Sequence, residues 1–178
     1  MKLIAITKPD FYDGEAAFIK RLFESGFDIV HLRKPNSDID NCRNILNELS
    51  SEERSRIVVH DYPELYYEFS LKGIHINKNI VKYPEGYQGF KTRSCHSLEE
   101  VMLYKNEFDY VFLSPIFDSI SKQGYKSAFS EDELRRASEE GIIDKKVVAL
   151  GGVTYDKISL LKDLGFGGAA MMGGVFIS

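Results

Sequence analysis

Short apolar runs alternate along the chain with longer stretches in which apolar residues recur at helical spacing. The runs are Leu3 to Thr7, Ile29 to Arg33, Ile57 to His60, Gly73 to Asn77, Thr92 to His96, Tyr110 to Ser114, Val147 to Leu150 and Gly168 to Met172. Short apolar runs of this length between polar stretches are expected of strands buried on both faces. Between them, Ala16, Ile19, Leu22 and Phe23, then Leu98, Val101 and Met102, then Ile158, Leu161 and Leu164 repeat at three and four residues, which predicts amphipathic helices. Asp13, Ser37, Ser97, Ser130 and Thr154 stand just ahead of helical patterns as expected N-caps, and Ser97 opens a Ser-Leu-Glu-Glu capping-box spacing. The fourth crossover differs. Residues 78–90 contain Pro84, Gly86 and Gly89, so strand 4 is expected to reach strand 5 through a loop.

Eight parallel βα units fit either a doubly wound sheet or a closed barrel. Strand 1 runs into Thr7-Lys8-Pro9-Asp10 and not into a Gly-x-Gly-x-x-Gly turn, so the expected fold is a (β/α)8 TIM barrel, one domain spanning residues 1–178. The pattern closes at Val175 to Ser178 without the helix that ordinarily follows the last strand. The outer face of strands 8 and 1 is then expected to be bare, which gives such a barrel reason to pair as a homodimer.

Composition narrows the function. With 43% hydrophobic residues the chain can bury a full core, and a net charge of −4 argues against nucleic acid, whose binding needs clustered Lys and Arg. Cys42 and Cys95 lie on different elements without metal-type spacing, so neither a disulfide framework nor a zinc site is implied. The apolar run before Lys8 is short, and nowhere do about eighteen apolar residues follow one another. A cytoplasmic protein, neither secreted nor membrane-spanning, is expected.

In barrels of this class the active site lies at the C-terminal ends of the strands. All four histidines fall there: His31, His60, His75 and His96, near the ends of strands 2 to 5 and beside Arg33, Asp61, Asn77 and Ser94. Period-two alternation puts His31 with Arg33, His75 with Asn77, and Ser94 with His96 on shared faces. If those faces point inward they make a polar bowl; alternatively each imidazole bonds a neighbour's backbone. Ligands at different heights on four strands seldom converge, so a four-histidine metal site is not the expected arrangement. Gly151-Gly152 after strand 7 and Gly173-Gly174 after strand 8 occupy the usual phosphate position, where bare N–H groups face an anion; the other reading is that they only permit tight turns. The loop from Ser114 to Tyr125 is hydroxyl-rich and carries Lys122, suiting a cover that donates to phosphate oxygens.

In their order, Val30-His31-Leu32-Arg33-Lys34, Gly73-Ile74-His75-Ile76, Ser94-Cys95-His96-Ser97-Leu98-Glu99-Glu100, Asp109-Tyr110-Val111, Ser114-Pro115-Ile116-Phe117 and Leu150-Gly151-Gly152-Val153 resemble the thiamine phosphate synthase superfamily. That superfamily includes the synthase and the thiazole tautomerase often called TenI. The synthase joins hydroxymethylpyrimidine diphosphate to a thiazole phosphate; diphosphate departs first with magnesium assistance. The resemblance implies Arg33 and Lys122 on the diphosphate, Asp61 as a magnesium ligand, and Ser94 near magnesium or diphosphate. It implies His60 on the pyrimidine, and Ser119, Ser121, Gly152, Met172 and Gly173 around the thiazole phosphate. The family's Gln-x-Arg-x-Lys becomes His31-Leu32-Arg33-Lys34-Pro35, where Lys34 substitutes for the second cation only if the strand ends there. The second magnesium carboxylate falls at Asn79 or Ile80, and the tautomerase histidine aligns with Pro115. Three functions follow in order: a synthase-type transferase, a tautomerase using His31 or His60 as acid or base, and a module that binds thiamine or its thiazole phosphate without turnover.

Overall fold

The computed structural model describes residues 1–78, 80–118 and 127–172. Eight strands, β1 (Lys2–Ile6), β2 (Ile29–Leu32), β3 (Ile57–Val59), β4 (Gly73–Ile76), β5 (Phe90–Cys95), β6 (Tyr110–Leu113), β7 (Val147–Ala149) and β8 (Gly168–Met171), follow one another in chain order around a closed parallel barrel. Seven helices accompany them among the described residues: α1 (Glu15–Glu24), α2 (Ile39–Asn47), α3 (Ser51–Arg54), α4 (Glu64–Phe69), α5 (Leu98–Tyr104), α6 (Glu131–Glu139) and α7 (Ile158–Asp163). None is long and apolar enough to cross a membrane. Contacts divide the chain into two compact units, Ile4–Lys91 and Met1–Leu3 with Thr92–Ser178.

In the first unit, Val30 pairs with Ile57, His31 with Val58 and Leu32 with Val59, and every residue of β2 and β3 is buried. Burying a Val, Leu or Ile side chain contributes about 1.5–3 kcal/mol, so these runs of β-branched residues anchor the unit. Helix α1 turns Ala16, Ile19, Leu22 and Phe23 inward as their spacing predicts. The crossover from β4 to β5 has no helix among the described residues. Tyr87 organises it: its hydroxyl donates to the Phe90 carbonyl at 2.6 Å and accepts from the Ile74 N–H at 2.7 Å, while its ring stacks on Tyr83 at 4.7 Å.

In the second unit, β6 pairs with β5 and β7, and β7 with β8 through Val148–Gly168 and Ala149–Ala169. Ser130 caps α6 in a closed capping box with Glu133, and Ser97 caps α5 by accepting from the Glu100 N–H at 3.2 Å. There the second half of the box is diverted, because the Glu100 carboxylate accepts from His96 N–H at 2.7 Å. Two expected caps shift by one residue and a third keeps its place without a side-chain bond. Gly14, with φ of 80°, replaces Asp13; Asp38 replaces Ser37; Thr154 precedes a 3-10 turn at Tyr155–Lys157 and makes no side-chain cap bond. Met102, expected on the inner face of α5, is 53% exposed. The covering helix expected to be missing after strand 8 turns on residues 173–178, which lie outside the described residues.

Candidate functional site

The three histidines of the first unit come together. His31, at the third position of β2, shares the inward face of its strand with neither apolar neighbour; His60 follows β3 by one residue, and His75 sits in β4. His31 Nδ1 and His60 Nε2 are 2.7 Å apart, and the rings of His60 and His75 stack at 4.1 Å with 11° between planes. All three are buried. In the short pair one nitrogen donates and the other accepts, which needs at least one neutral imidazole. Burial, with the nearby His75 next, holds both His31 and His60 well below the ordinary histidine pKa of 6.5. Three of the four histidines are therefore gathered in one buried cluster, and the expectation that these imidazoles would not converge is corrected for those three. The register of three adjacent strands brings them together, which spacing along the sequence could not reveal.

Around this cluster the end of β2 is fixed from both sides. Thr7 Oγ1 accepts from the Arg33 N–H at 3.0 Å and donates to the Arg33 carbonyl at 3.3 Å. Asp61 Oδ2 accepts from the Lys34 N–H at 3.1 Å. Among the described residues no carboxylate lies within ion-pair distance of the Arg33 guanidinium. Lys34 is different, and the idea that it supplies a second rim cation is corrected. Its ammonium is fully buried, donating to both carboxylate oxygens of Glu15 at 2.6 and 2.8 Å and to the carbonyls of Lys8 and Asp10 at 2.9 Å each. The signal was available. Alternation puts Lys34 on the face of Val30 and Leu32, toward the helix layer and away from Arg33. Burial pushes the Glu15 carboxyl upward in pKa while Lys34 draws it back.

In the second unit, Gly151 and Gly152 follow β7 with φ of 94° and 61°. A Cβ on Gly151 would meet Pro115 Cα at 2.8 Å, and one on Gly152 would run into the Asp118 carbonyl oxygen. Both glycines are thus needed for backbone conformation and for close approach to the loop after β6, which is the turn reading of these residues. The two loops are also bonded: Ile116 N–H donates to the Leu150 carbonyl at 2.9 Å and Phe117 N–H to the Gly151 carbonyl at 3.0 Å. The Gly152 carbonyl accepts from the Lys157 ammonium at 2.8 Å, a contact that sequence reasoning missed. No described residue accepts from the N–H of Gly151 or Gly152. Turn chemistry and anion chemistry are therefore compatible here: among the described residues the carbonyls are engaged and the two N–H donors are not.

Ser94 is half-buried in β5, and Met172 is half-buried just after β8. His96 falls one residue past the end of β5, which stops at Cys95. It is exposed, with Nδ1 at 3.2 Å from the Ser114 carbonyl and 3.3 Å from the Ser114 hydroxyl. Cys42 and Cys95 are buried free thiols, each pushed up to about 11 by burial. Ser119, Ser121, Lys122, Gly173, Gly174 and Asn79 lie outside the described residues.

A family model described as thiamine monophosphate synthase matches residues 3–175. Similar proteins include the thiamine-phosphate synthase of Limosilactobacillus reuteri, 29% identical over 129 residues that make up 68% of this chain and 59% of that protein. The thiamine-phosphate synthase of Shouchella clausii is 26% identical over 164 residues, 85% of this chain and 77% of that one. Among solved structures, thiamine phosphate pyrophosphorylase from Bacteroides thetaiotaomicron superposes with a TM-score of 0.90 at 42% identity, over 99% of this chain and 85% of that one. The chain spans less than two thirds of the length of the Limosilactobacillus relative.

Proposed function

This chain belongs to the thiamine monophosphate synthase family, and from that premise we propose that it joins hydroxymethylpyrimidine diphosphate to thiazole phosphate with release of diphosphate. The observation that carries this is the end of β2, where the Arg33 guanidinium has no described carboxylate to neutralise it while the neighbouring Lys34 is spent on Glu15. A reaction whose leaving group is a diphosphate needs held cations and no protein nucleophile. Arg33 fits that need, and Lys122 joins it by resemblance. His60, with its imidazole kept neutral by burial, offers a hydrogen-bonding edge to a pyrimidine, and His31 fixes its orientation across the 2.7 Å contact. Ser94 is assigned to the diphosphate. The thiazole phosphate is assigned to the N–H groups of Gly151 and Gly152, with Ser119, Ser121, Met172, Gly173 and Gly174 completing the set by resemblance.

Magnesium belongs to this proposal. One carboxylate, Asp61, is held in orientation by the Lys34 N–H, and at the expected second ligand Ile80 is apolar and buried. One carboxylate plus substrate phosphates is an ordinary magnesium environment, so the residues fit an ion held chiefly by the diphosphate. When bound it would supply positive charge to the departing group. We expect the protein to act in the cytoplasm and as a homodimer.

A second activity, isomerisation of the thiazole, is favoured by one observation: His96 presents an exposed imidazole bonded to Ser114, at the end of the strand preceding Pro115. Calorimetry with the two substrates separately distinguishes the two. The synthase reading expects pyrimidine diphosphate to bind only with magnesium and thiazole phosphate to bind without it. Thiazole phosphate binding alone, with the diphosphate inert at every magnesium level, would move the assignment to the isomerase or to a non-catalytic binder.

A further inference from the structure

The function just proposed uses His31 and His60 and leaves His75 without a role, yet the three imidazoles form one buried group. Their ligating nitrogens all lie within 4.8 Å of one another, the one cluster of this kind among the described residues. We propose that His31, His60 and His75 form a binding site for a first-row transition-metal ion of the zinc class, distinct in chemistry from the magnesium assigned to Asp61.

Donor type separates the two ions. Three imidazole nitrogens are borderline-soft ligands that favour zinc, cobalt, nickel or copper, whereas magnesium takes oxygen. Geometry is close to what such a site needs. In a tetrahedral site with bonds of about 2.0–2.1 Å, ligand nitrogens stand roughly 3.3 Å apart. The His31–His60 separation of 2.7 Å lies below that value, and the 4.8 Å limit of the cluster lies above it. Loading therefore opens the short pair by about half an ångström and tilts the stacked His60 and His75 rings so that both lone pairs converge. The supporting frame is rigid. Each histidine comes from or directly follows a different one of three adjacent strands, and the His60 carbonyl accepts from the Asn77 side-chain amide. Three protein ligands leave a fourth position open, as in catalytic zinc sites. Because all three ligands are neutral, that position favours an anion, such as hydroxide or a phosphate oxygen.

The test uses the full chain, stripped with chelator and then titrated with zinc, cobalt and magnesium separately. One zinc per chain is expected, and cobalt should give the intense visible bands of a four- or five-coordinate nitrogen site. His75→Gln should weaken zinc by more than the roughly 10–100-fold that loss of an outer-shell partner costs. Magnesium should not compete. Since His75→Gln could lower the fold's stability, imidazole NMR of the unsubstituted chain gives a second readout. It has four histidines, and zinc should shift His31, His60 and His75 while leaving exposed His96 in place. No stoichiometric zinc uptake, uptake unchanged in a folded His75→Gln chain, or shifts confined to His96 would each overturn the proposal. Coupling of the two substrates by zinc-free protein bears on the proposed function and leaves this inference untouched.

Discussion

Acidification from pH 8 to pH 5 should destabilise the fold well before the carboxylates titrate, and the cause is the buried imidazole pair. His31 and His60 have native pKa values held well below 6.5, first by burial, whereas in the unfolded chain each titrates at its ordinary value. A depressed histidine pKa means that the unfolded state takes up protons first. The associated stability is thus complete above pH 6.5 and drains away as pH falls below it. Each pKa unit of difference corresponds to about 1.4 kcal/mol. At pH 5, one and a half units below the reference, two such histidines together cost up to about 4 kcal/mol, a large share of the 5–15 kcal/mol typical of a domain. The assay is urea unfolding in chelator at half-unit pH steps, with the proton uptake obtained from the slope. Uptake approaching two protons below pH 6 is expected, and His31→Gln should reduce it by about one. Stability that stays flat between pH 8 and 5.5, or a slope unaffected by that substitution, would refute the assignment of the acid loss to this pair.

Three further outcomes follow from the same contacts. Lys34→Met should destabilise by about 3–5 kcal/mol, because it strands the Glu15 carboxylate in the interior, and adding Glu15→Leu should restore most of the loss; thermal melts of the single and double variants check this. Ser130→Ala removes the α6 cap bond and should cost about 1 kcal/mol in the same melts with no effect on ligand binding. Arg33→Ala, and Lys122→Ala beside it, should cripple use of the pyrimidine diphosphate while thiazole phosphate affinity stays within about threefold, since charge-assisted bonds are about twice as strong as neutral ones; equal loss of both ligands in calorimetry would refute the division.

Much of the fold was legible because each strand carries its own signal. Tyr110 to Leu113 or Ile57 to Val59, buried on both faces, announces itself by composition, and the broken stretch between Ile76 and Phe90 announced a crossover in which no helix appears among the described residues. What stayed hidden depends on where chains meet. Lys34 could stand for the second rim cation only if the strand ended there, and nothing in the spacing showed that Glu15 from α1 would hold it; for Gly152 the phosphate and tight-turn readings stood side by side until the loop after β6 was found against it. The histidines were legible as a rim set, but convergence of His31, His60 and His75 needs the register of β2, β3 and β4, which no one-dimensional pattern carries. Cap positions slipped by one residue, from Asp13 to a left-handed Gly14 and from Ser37 to Asp38, whose carboxylate accepts from the Asp40 N–H.

Under the proposed function, the two substrates are joined with magnesium recruited chiefly through the diphosphate and with Asp61 as the single direct carboxylate. Thiamine phosphate formation and thiazole isomerisation should be followed side by side across a magnesium titration, in the unsubstituted chain and in Asp61→Asn. Coupling should vanish in chelator, apparent magnesium affinity should be poor alone and improve sharply with pyrimidine diphosphate, and Asp61→Asn should raise the magnesium requirement. Coupling absent at every magnesium concentration while isomerisation proceeds in chelator would contradict it.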